Sequence, residues 1–314
     1  MHNFRPQPIA LILTLVLLLT GCAAPAAAPS ATAAPPIHTE TIQLTDGLGR
    51  DVTLAEPAGR VVSLAASNTE ILYAIGAGNL LVGRDDTSDY PDEAFAVESI
   101  GSVYGAVNTE AILALEPDLV LAAGTNTPEQ VETLAALDLT VFYLANPVDF
   151  EGLYENIRLV GALTGRVDAA DALIADLTTR VENVRARVAE LEPVSVYYEV
   201  DATDVTAPYT VGAGTFQNYL ITLAGGANIA ADLNAWAPIS QEELLARNPD
   251  VMLFGSSIWV PTTVESVAAR PGWSALYAVA SGQVYPIDSN WVDRPGPRLV
   301  LALEAMADLL HPAD

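Results

Sequence analysis

The chain has 314 residues, of which 51% are hydrophobic and 17% charged, so it can bury a sizeable core, and global disorder is excluded. Its 39 acidic residues face 13 basic ones, all of them arginine, for a net charge of −26. Such a surface repels phosphate backbones and offers no basic patch to anionic lipid, which argues against nucleic acid as a partner. The single cysteine, Cys22, rules out an internal disulfide and any cysteine-rich metal site.

Residues 1–21 read as a signal peptide, with Arg5 ahead of an apolar run from Ile9 to Leu19. That run is short of the about 20 residues a membrane span requires. It closes on Leu19-Thr20-Gly21-Cys22, which looks like a lipobox, where the signal is cut before a cysteine that then takes lipid. The alternative is an ordinary signal peptide that happens to end near a cysteine. Residues 22–36 are almost wholly Ala, Pro, Ser and Thr and read as a tether.

The remaining chain divides into a first lobe over 37–164, a connecting helix over 165–192 and a second lobe over 193–314. Ile42 to Leu44 and Val52 to Leu54 alternate on either side of Asp46-Gly47-Leu48-Gly49, which predicts a hairpin. Short buried strands then alternate with helices: strands at 61–64, 80–83, 118–122 and 141–144, helices at 68–75 and 131–137. This rhythm predicts a parallel sheet covered on both faces. A stripe of Val167, Ala170, Leu173, Leu177, Val181, Val184, Val188 and Leu191 at steps of three or four predicts one rigid helix, roughly 37 Å long at the usual rise. The α/β rhythm then returns, with strands at 194–200, 251–254 and 284–287 and helices at 215–224 and 296–310. Pro297 is expected near the first turn of the last helix.

Several segments in this order resemble the periplasmic-binding-protein family that carries cobalamin, haem and ferric siderophores for ABC importers. They are Val61 to Gly78 (VVSLAASNTEILYAIGAG), Ser88-Asp89-Tyr90-Pro91, Asn108-Thr109-Glu110 with Pro117-Asp118-Leu119-Val120, Pro208-Tyr209-Thr210, Leu223 to Ile229 (LAGGANI), Ile239 to Asp250 (ISQEELLARNPD) and Arg294-Pro295-Gly296-Pro297-Arg298. The resemblance spans about Arg60 to Pro312. It implies an α/β fold of class III substrate-binding type, two Rossmann-like lobes joined by a single long α-helix, with the ligand between them. It further implies an extracytoplasmic, lipid-anchored monomer that needs no cofactor and meets a membrane permease. One glutamate on each lobe docks to permease arginines in such proteins, and the matching residues here are Glu70 and Glu242, with Glu243 able to replace the latter. Two exposed carboxylates suit that task, although both are equally explained as first-turn helix acids favoured by the dipole.

Ligands of open α/β sheets gather at the carboxyl ends of the strands. Candidates there are Asn68, Thr87, Tyr90, Tyr104, Tyr209, Trp236, Trp259, Asn290, Trp291 and Arg294. Aromatic walls suit large flat ligands, and the alternative for each aromatic is core packing or a lobe rim. Against cobalamin-binding members, Tyr104 and Trp236 fall where aromatic wall residues occur and Asn290 to Arg294 where a ligand-contacting loop occurs. Thr87 departs from that pattern, which has a tyrosine there. The resemblance therefore implies a cobalamin-like cargo, with haem or a ferric hydroxamate siderophore as the alternative. Few arginines are available for a catecholate complex.

A metal binder needs clustered histidines and carboxylates, yet the only histidines are His2, His38 and His311. A hydrolase needs an activated nucleophile, yet no Gly-x-Ser-x-Gly elbow occurs and no histidine is placed beside Ser67, Ser88 or Ser256. The expectation is a binder, not an enzyme.

Overall fold

The computed structural model describes residues 41–255 and 262–312. The signal peptide, Cys22 and the tether lie outside the described residues. A hairpin of β1 (Ile42–Thr45) and β2 (Asp51–Leu54) comes first. Asp46 in its turn is buried, accepts from the Arg50 guanidinium at 2.5 and 2.9 Å, and so folds the turn on itself. The Gly47 amide donates to the Tyr143 carbonyl at 2.7 Å, which pins the hairpin to the edge of the first sheet.

That sheet is built from β3 (Val61–Ser63), β4 (Leu81–Arg84), β5 (Leu119–Ala122) and β6 (Val141–Tyr143), all parallel, in the order β4-β3-β5-β6. Its crossovers carry α1 (Ala66–Ala74), α2 (Thr109–Ala114) and α3 (Pro128–Ala135). Thr127 and Gln130 form a reciprocal capping box at the start of α3, with Pro128 in its first turn, which explains why this helix begins where it does.

Two helices follow, α4 (Phe150–Thr164) and α5 (Val167–Val188). Gly165 separates them in the left-handed region at φ 66°, a conformation that costs glycine little. The 22 residues of α5 are the predicted connecting rod. Its Ala170, Leu177, Val181, Val184 and Val188 are buried in one stripe.

The second sheet contains β7 (Val194–Asp201), β8 (Tyr209–Val211), β9 (Gly226–Asn228), β10 (Trp236–Pro238), β11 (Val251–Gly255) and β12 (Val284–Ile287). The order is β10-β8-β7-β11-β12, with β9 also on β7. Strands β9, β11 and β12 continue the parallel pattern, but β8 runs antiparallel to both of its neighbours, β7 and β10, so this sheet is mixed where a parallel one was expected. Helices α6 (Phe216–Leu223), α7 (Gln241–Arg247), α8 (Val264–Ala268), α9 (Tyr277–Ala280), α10 (Ser289–Val292) and α11 (Leu299–Leu310) complete the chain. The last helix starts three residues later than predicted, so Pro297 lies ahead of its first turn.

Strand alternation distributes the core. Val61, Leu119, Leu121 and Phe142 of the first sheet, α4, α5 and α11, and Val196, Tyr198 and Leu253 of the second sheet share one continuous apolar cluster. The opposite faces close separately, Val62, Val120 and Val141 in one cluster, and Tyr197, Met252, Phe254 and Trp273 in another. Polar clamps fasten the rod to the last helix: Arg180 of α5 meets Glu304 at 2.6 and 2.8 Å, and Arg187 meets Asp308 at 2.6 Å.

Candidate functional site

A cleft of about 660 Å³ opens between the two sheets. On the first lobe its lining comes from the residues that follow each parallel strand: Ser67 after β3, Thr87 and Tyr104 after β4, Thr125 after β5 and Asn146 after β6. On the second lobe it comes from Asp201 at the end of β7, Phe216 and Gln217 at the start of α6, Trp236 of β10, Gly255 at the end of β11, and Asn290, Asp293 and Arg294 after β12. The parallel strands β3 to β7, β11 and β12 thus point their carboxyl ends at one space, the placement expected of a ligand site.

Of the three aromatic rings that line this space among the described residues, two are unusually bare. Tyr104 is 65% exposed and Trp236 43% exposed, one from each lobe. Large apolar surface left open in a cleft is a binding feature rather than a packing one. Beneath them the floor is polar. Asp293 accepts from the Tyr198 hydroxyl at 3.2 Å and from the Gln217 amide at 3.1 Å. Burial pushes its carboxyl above the ordinary range, although both donors pull the other way. Tyr198 itself is fully buried, and burial beside Asp293 holds its phenol well above its usual value. The Thr87 hydroxyl is turned onto Asp85, which is buried and also accepts from Ser88 at 2.5 Å. Thr87 therefore offers the cleft little beyond its methyl group.

Two arginine–carboxylate pairs cross between the lobes beside the cleft. Arg294 holds Asp89 through both guanidinium nitrogens, the longer contact at 3.1 Å. Arg298 holds Glu70 at 2.6 and 3.0 Å, and its guanidinium lies 4.0 Å from the centre of the Tyr90 ring. Gly296 between them packs tightly on this pair: a Cβ there would stand 2.9 Å from Glu70 Oε2 and would push on the carboxylate that Arg298 holds.

Comparison with known proteins agrees with this architecture. The model of a family described as periplasmic binding protein matches residues 61–291. The chain belongs to this family. A Bacillus subtilis (strain 168) protein named as an uncharacterized ABC transporter substrate-binding lipoprotein, YvrC, is 30% identical over 310 residues, covering 96% of both chains. The vitamin B12-binding protein of Vibrio cholerae serotype O1 is 30% identical over 261 residues, 81% of this chain and 90% of that one. Among solved structures, the periplasmic haem-binding protein RhuT from Roseiflexus sp. RS-1 superposes with a TM-score of 0.74 at 26% identity, over 81% of this chain and 98% of that one. The molecule is an extracytoplasmic substrate-binding protein of the ABC-transporter kind and not an enzyme.

Of the sequence-derived ligand candidates, the structure brings Thr87, Tyr104, Trp236, Asn290 and Arg294 into the cleft. Four of the others lie elsewhere. Asn68 is 1% exposed and donates to the Leu121 carbonyl at 3.1 Å, tying α1 to β5. Tyr90 lines a separate crevice of about 330 Å³ with Arg298 and Leu177. Tyr209 is exposed on β8, paired across to Pro238. Trp291 packs against the shared core, and Trp259 falls outside the described residues. Glu70 was expected on the surface in the first turn of a helix. Because α1 begins at Ala66, it sits in the second turn, 3% exposed and committed to Arg298. Burial keeps its carboxyl above the ordinary range even beside the guanidinium. Glu242 is exposed in the first turn of α7, while Glu243 is engaged with Arg247 at 2.5 Å. Sequence reading missed Asp201, Phe216 and Gln217, and reached Asp293 only as part of the loop from Asn290 to Arg294. The strand-end rule reaches Asp201 once β7 is extended by one residue, but Phe216 and Gln217 depend on β8, a strand the pattern does not announce.

Proposed function

We propose that this protein captures a cobalamin-like corrinoid outside the cell and hands it to an ABC permease. The observation that carries the reading is the pair of bare aromatic rings, Tyr104 and Trp236, in a cleft of about 660 Å³. Such rings cover a flat macrocycle at little entropic cost. The name of the Vibrio cholerae relative supports the same cargo, while the haem-binding neighbour keeps haem as the second reading and a ferric hydroxamate as the third. Lipid attachment at Cys22 agrees with the lipobox and with the lipoprotein name of the Bacillus relative. A Cys22→Ser variant is expected to leave the membrane fraction for the medium, and retention in the membrane refutes the anchor.

Docking on the second lobe stays with Glu242. On the first lobe the carboxylate in the matching place is Glu110, not the buried Glu70. Glu110 follows Tyr104 by six residues, as Glu242 follows Trp236 by six. Each is exposed in the first turn of a short helix with a side-chain N-cap, Asn108 and Ser240, and each is free of an ion pair among the described residues. Two carboxylates flanking the aromatic mouth make a two-point contact for an arginine-bearing partner. Glu110→Ala with Glu242→Ala should abolish uptake without changing ligand affinity; unchanged uptake rejects the assignment.

The direct test of cargo is a tryptophan-fluorescence titration of the body from Ile37 onward with cyanocobalamin, haem and a ferric hydroxamate, each used as a monomeric, one-to-one binding candidate. Saturable quenching by cyanocobalamin, weakened about 30-fold by Trp236→Ala with the fold intact, is expected from the loss of an aromatic anchor. Saturation by haem or the hydroxamate alone replaces the cargo.

A further inference from the structure

The charge inventory of the cleft is lopsided. Arg294 is the one cation in its lining among the described residues, and residues 256–261 (Ser-Ser-Ile-Trp-Val-Pro) add no charge. Both of its guanidinium nitrogens that face the first lobe are taken by Asp89. The lining also holds two carboxylates without a cation. Among the described residues, Asp201 accepts from Thr203 at 2.9 and 3.1 Å, and Asp293 accepts from Tyr198 and Gln217. An incoming carboxylate therefore meets two like charges and no free partner, whereas an amide N–H meets acceptors it can satisfy.

We propose that Asp89 is a specificity-determining residue: by neutralising Arg294 it makes the cleft select cargo whose periphery bears amides and reject cargo that bears carboxylates. This deepens, and rests on, the reading of the cleft as a macrocycle site. Asp89 acts through Arg294 and need not touch the ligand, so it is a positioning residue. The low-lying carboxyl of Asp89 is consistent with this. Burial raises it, but the Arg294 hydrogen bond and charge outweigh burial and keep it ionised. The pair is also renewable. Asp89 retains 32% of its side-chain surface, so water reaches it, and removing its charge leaves Arg294 free to turn to a ligand. The neighbouring Glu70–Arg298 pair provides the internal control, because it too spans the lobes but lies outside the cleft lining.

The test uses two corrins with the same ring, dicyanocobinamide, which carries amides, and dicyanocobyrinic acid, which carries carboxylic acids. Affinities are read by fluorescence quenching at neutral pH, with thermal melting as the check on folding. Wild type is expected to favour the amide by at least tenfold. Asp89→Asn should shrink that preference at least threefold by tightening the acid, and Glu70→Gln should leave it unchanged within twofold. Arg294→Gln, which removes the cation altogether, should keep the wild-type preference or increase it. This keeps the question open to refutation if Asp89→Asn does not fold. Equal wild-type affinity for the two corrins overturns the proposal. So does an Asp89→Asn variant with a native melt and an unchanged ratio, or a Glu70→Gln variant that shifts the ratio as much as Asp89→Asn. If neither corrin binds, the corrinoid reading falls, and the same ratio measured on haem against its diamide decides the role of Asp89 separately. Preference for haem over the diamide overturns it.

Discussion

The two ion pairs that span the lobes look alike on paper and differ in water. Arg294 and Arg298 are four residues apart on the approach to α11, and each grips a first-lobe carboxylate with both nitrogens. Around Glu70 and Arg298 the side chains keep only 2% and 12% of their surface; around Asp89 and Arg294 they keep 32% and 14%. The carboxyl groups respond in opposite directions. Burial lifts Glu70 above its ordinary range despite its arginine, whereas Asp89 is held below its own range because the arginine wins. Where solvent is shut out, an ion pair is a commitment of the fold; where solvent enters, it can be traded for a ligand.

Breaking the dry pair should give the largest effect. Arg298→Met leaves Glu70 buried without a cation, and such a loss typically costs about 3–5 kcal/mol of folding stability, read by denaturant unfolding. The sign with pH follows from the raised carboxyl. Glu70 prefers its proton in the folded state, and more so once the guanidinium is gone. The deficit of the variant should therefore be full at neutral pH and shrink as pH falls toward and past the ordinary carboxylate value of 4.5, below which both states are protonated. A deficit that is constant from pH 7 to 5 contradicts burial as the cause.

The wetter pair should respond less. Asp89→Asn is expected to cost about 1 kcal/mol or less at neutral pH. Because its folded carboxyl is lowered, that contribution persists down to its ordinary value of 3.8 and fades only as pH falls further. The same unfolding experiment checks it, and a cost equal to that of Arg298→Met would erase the distinction between the two bridges. At the far end stands Arg185, paired with Glu182 at 3.0 Å on α5 with more than half of each side chain exposed. Arg185→Ala should stay within about 0.5 kcal/mol of wild type, and a larger loss would mean that exposure is not what ranks these pairs.

Sequence reading succeeded where a pattern is local and failed where a partner is distant. Strands such as Val251 to Phe254 and the stripe on α5 announce themselves, because buried strands are continuous apolar runs and a buried helix face repeats every three or four residues. Helix α4 was passed over although Phe150, Leu153, Ile157 and Val160 keep the period. Gly152 and Gly161 weaken its helical signal, and Gly161 is there because a Cβ would stand 2.6 Å from that of Ala170 on α5. The three-residue strands β8, β9 and β10 exist only through pairing with β7 and with one another. The reading of Glu70 failed for the same reason: its arginine lies 228 positions away, and nothing in Asn68-Thr69-Glu70 foretells it. Tyr104 and Trp236 could be placed at the cleft from the sequence because each follows the carboxyl end of a buried strand or lies beside one, where side chains gather at a shared opening.

The apolar cluster that runs from the first sheet through α4, α5 and α11 into the second sheet has a consequence for how the molecule comes apart. Each lobe keeps a smaller private cluster on its outer face, but the largest core is shared, and both halves draw on the same buried rod. Heat or denaturant should therefore dissolve them in a single cooperative step, with the amides of both sheets exchanging at a common, slow rate. A ligand that touches only the mouth then protects every part of the body equally, since no half can unfold without releasing it.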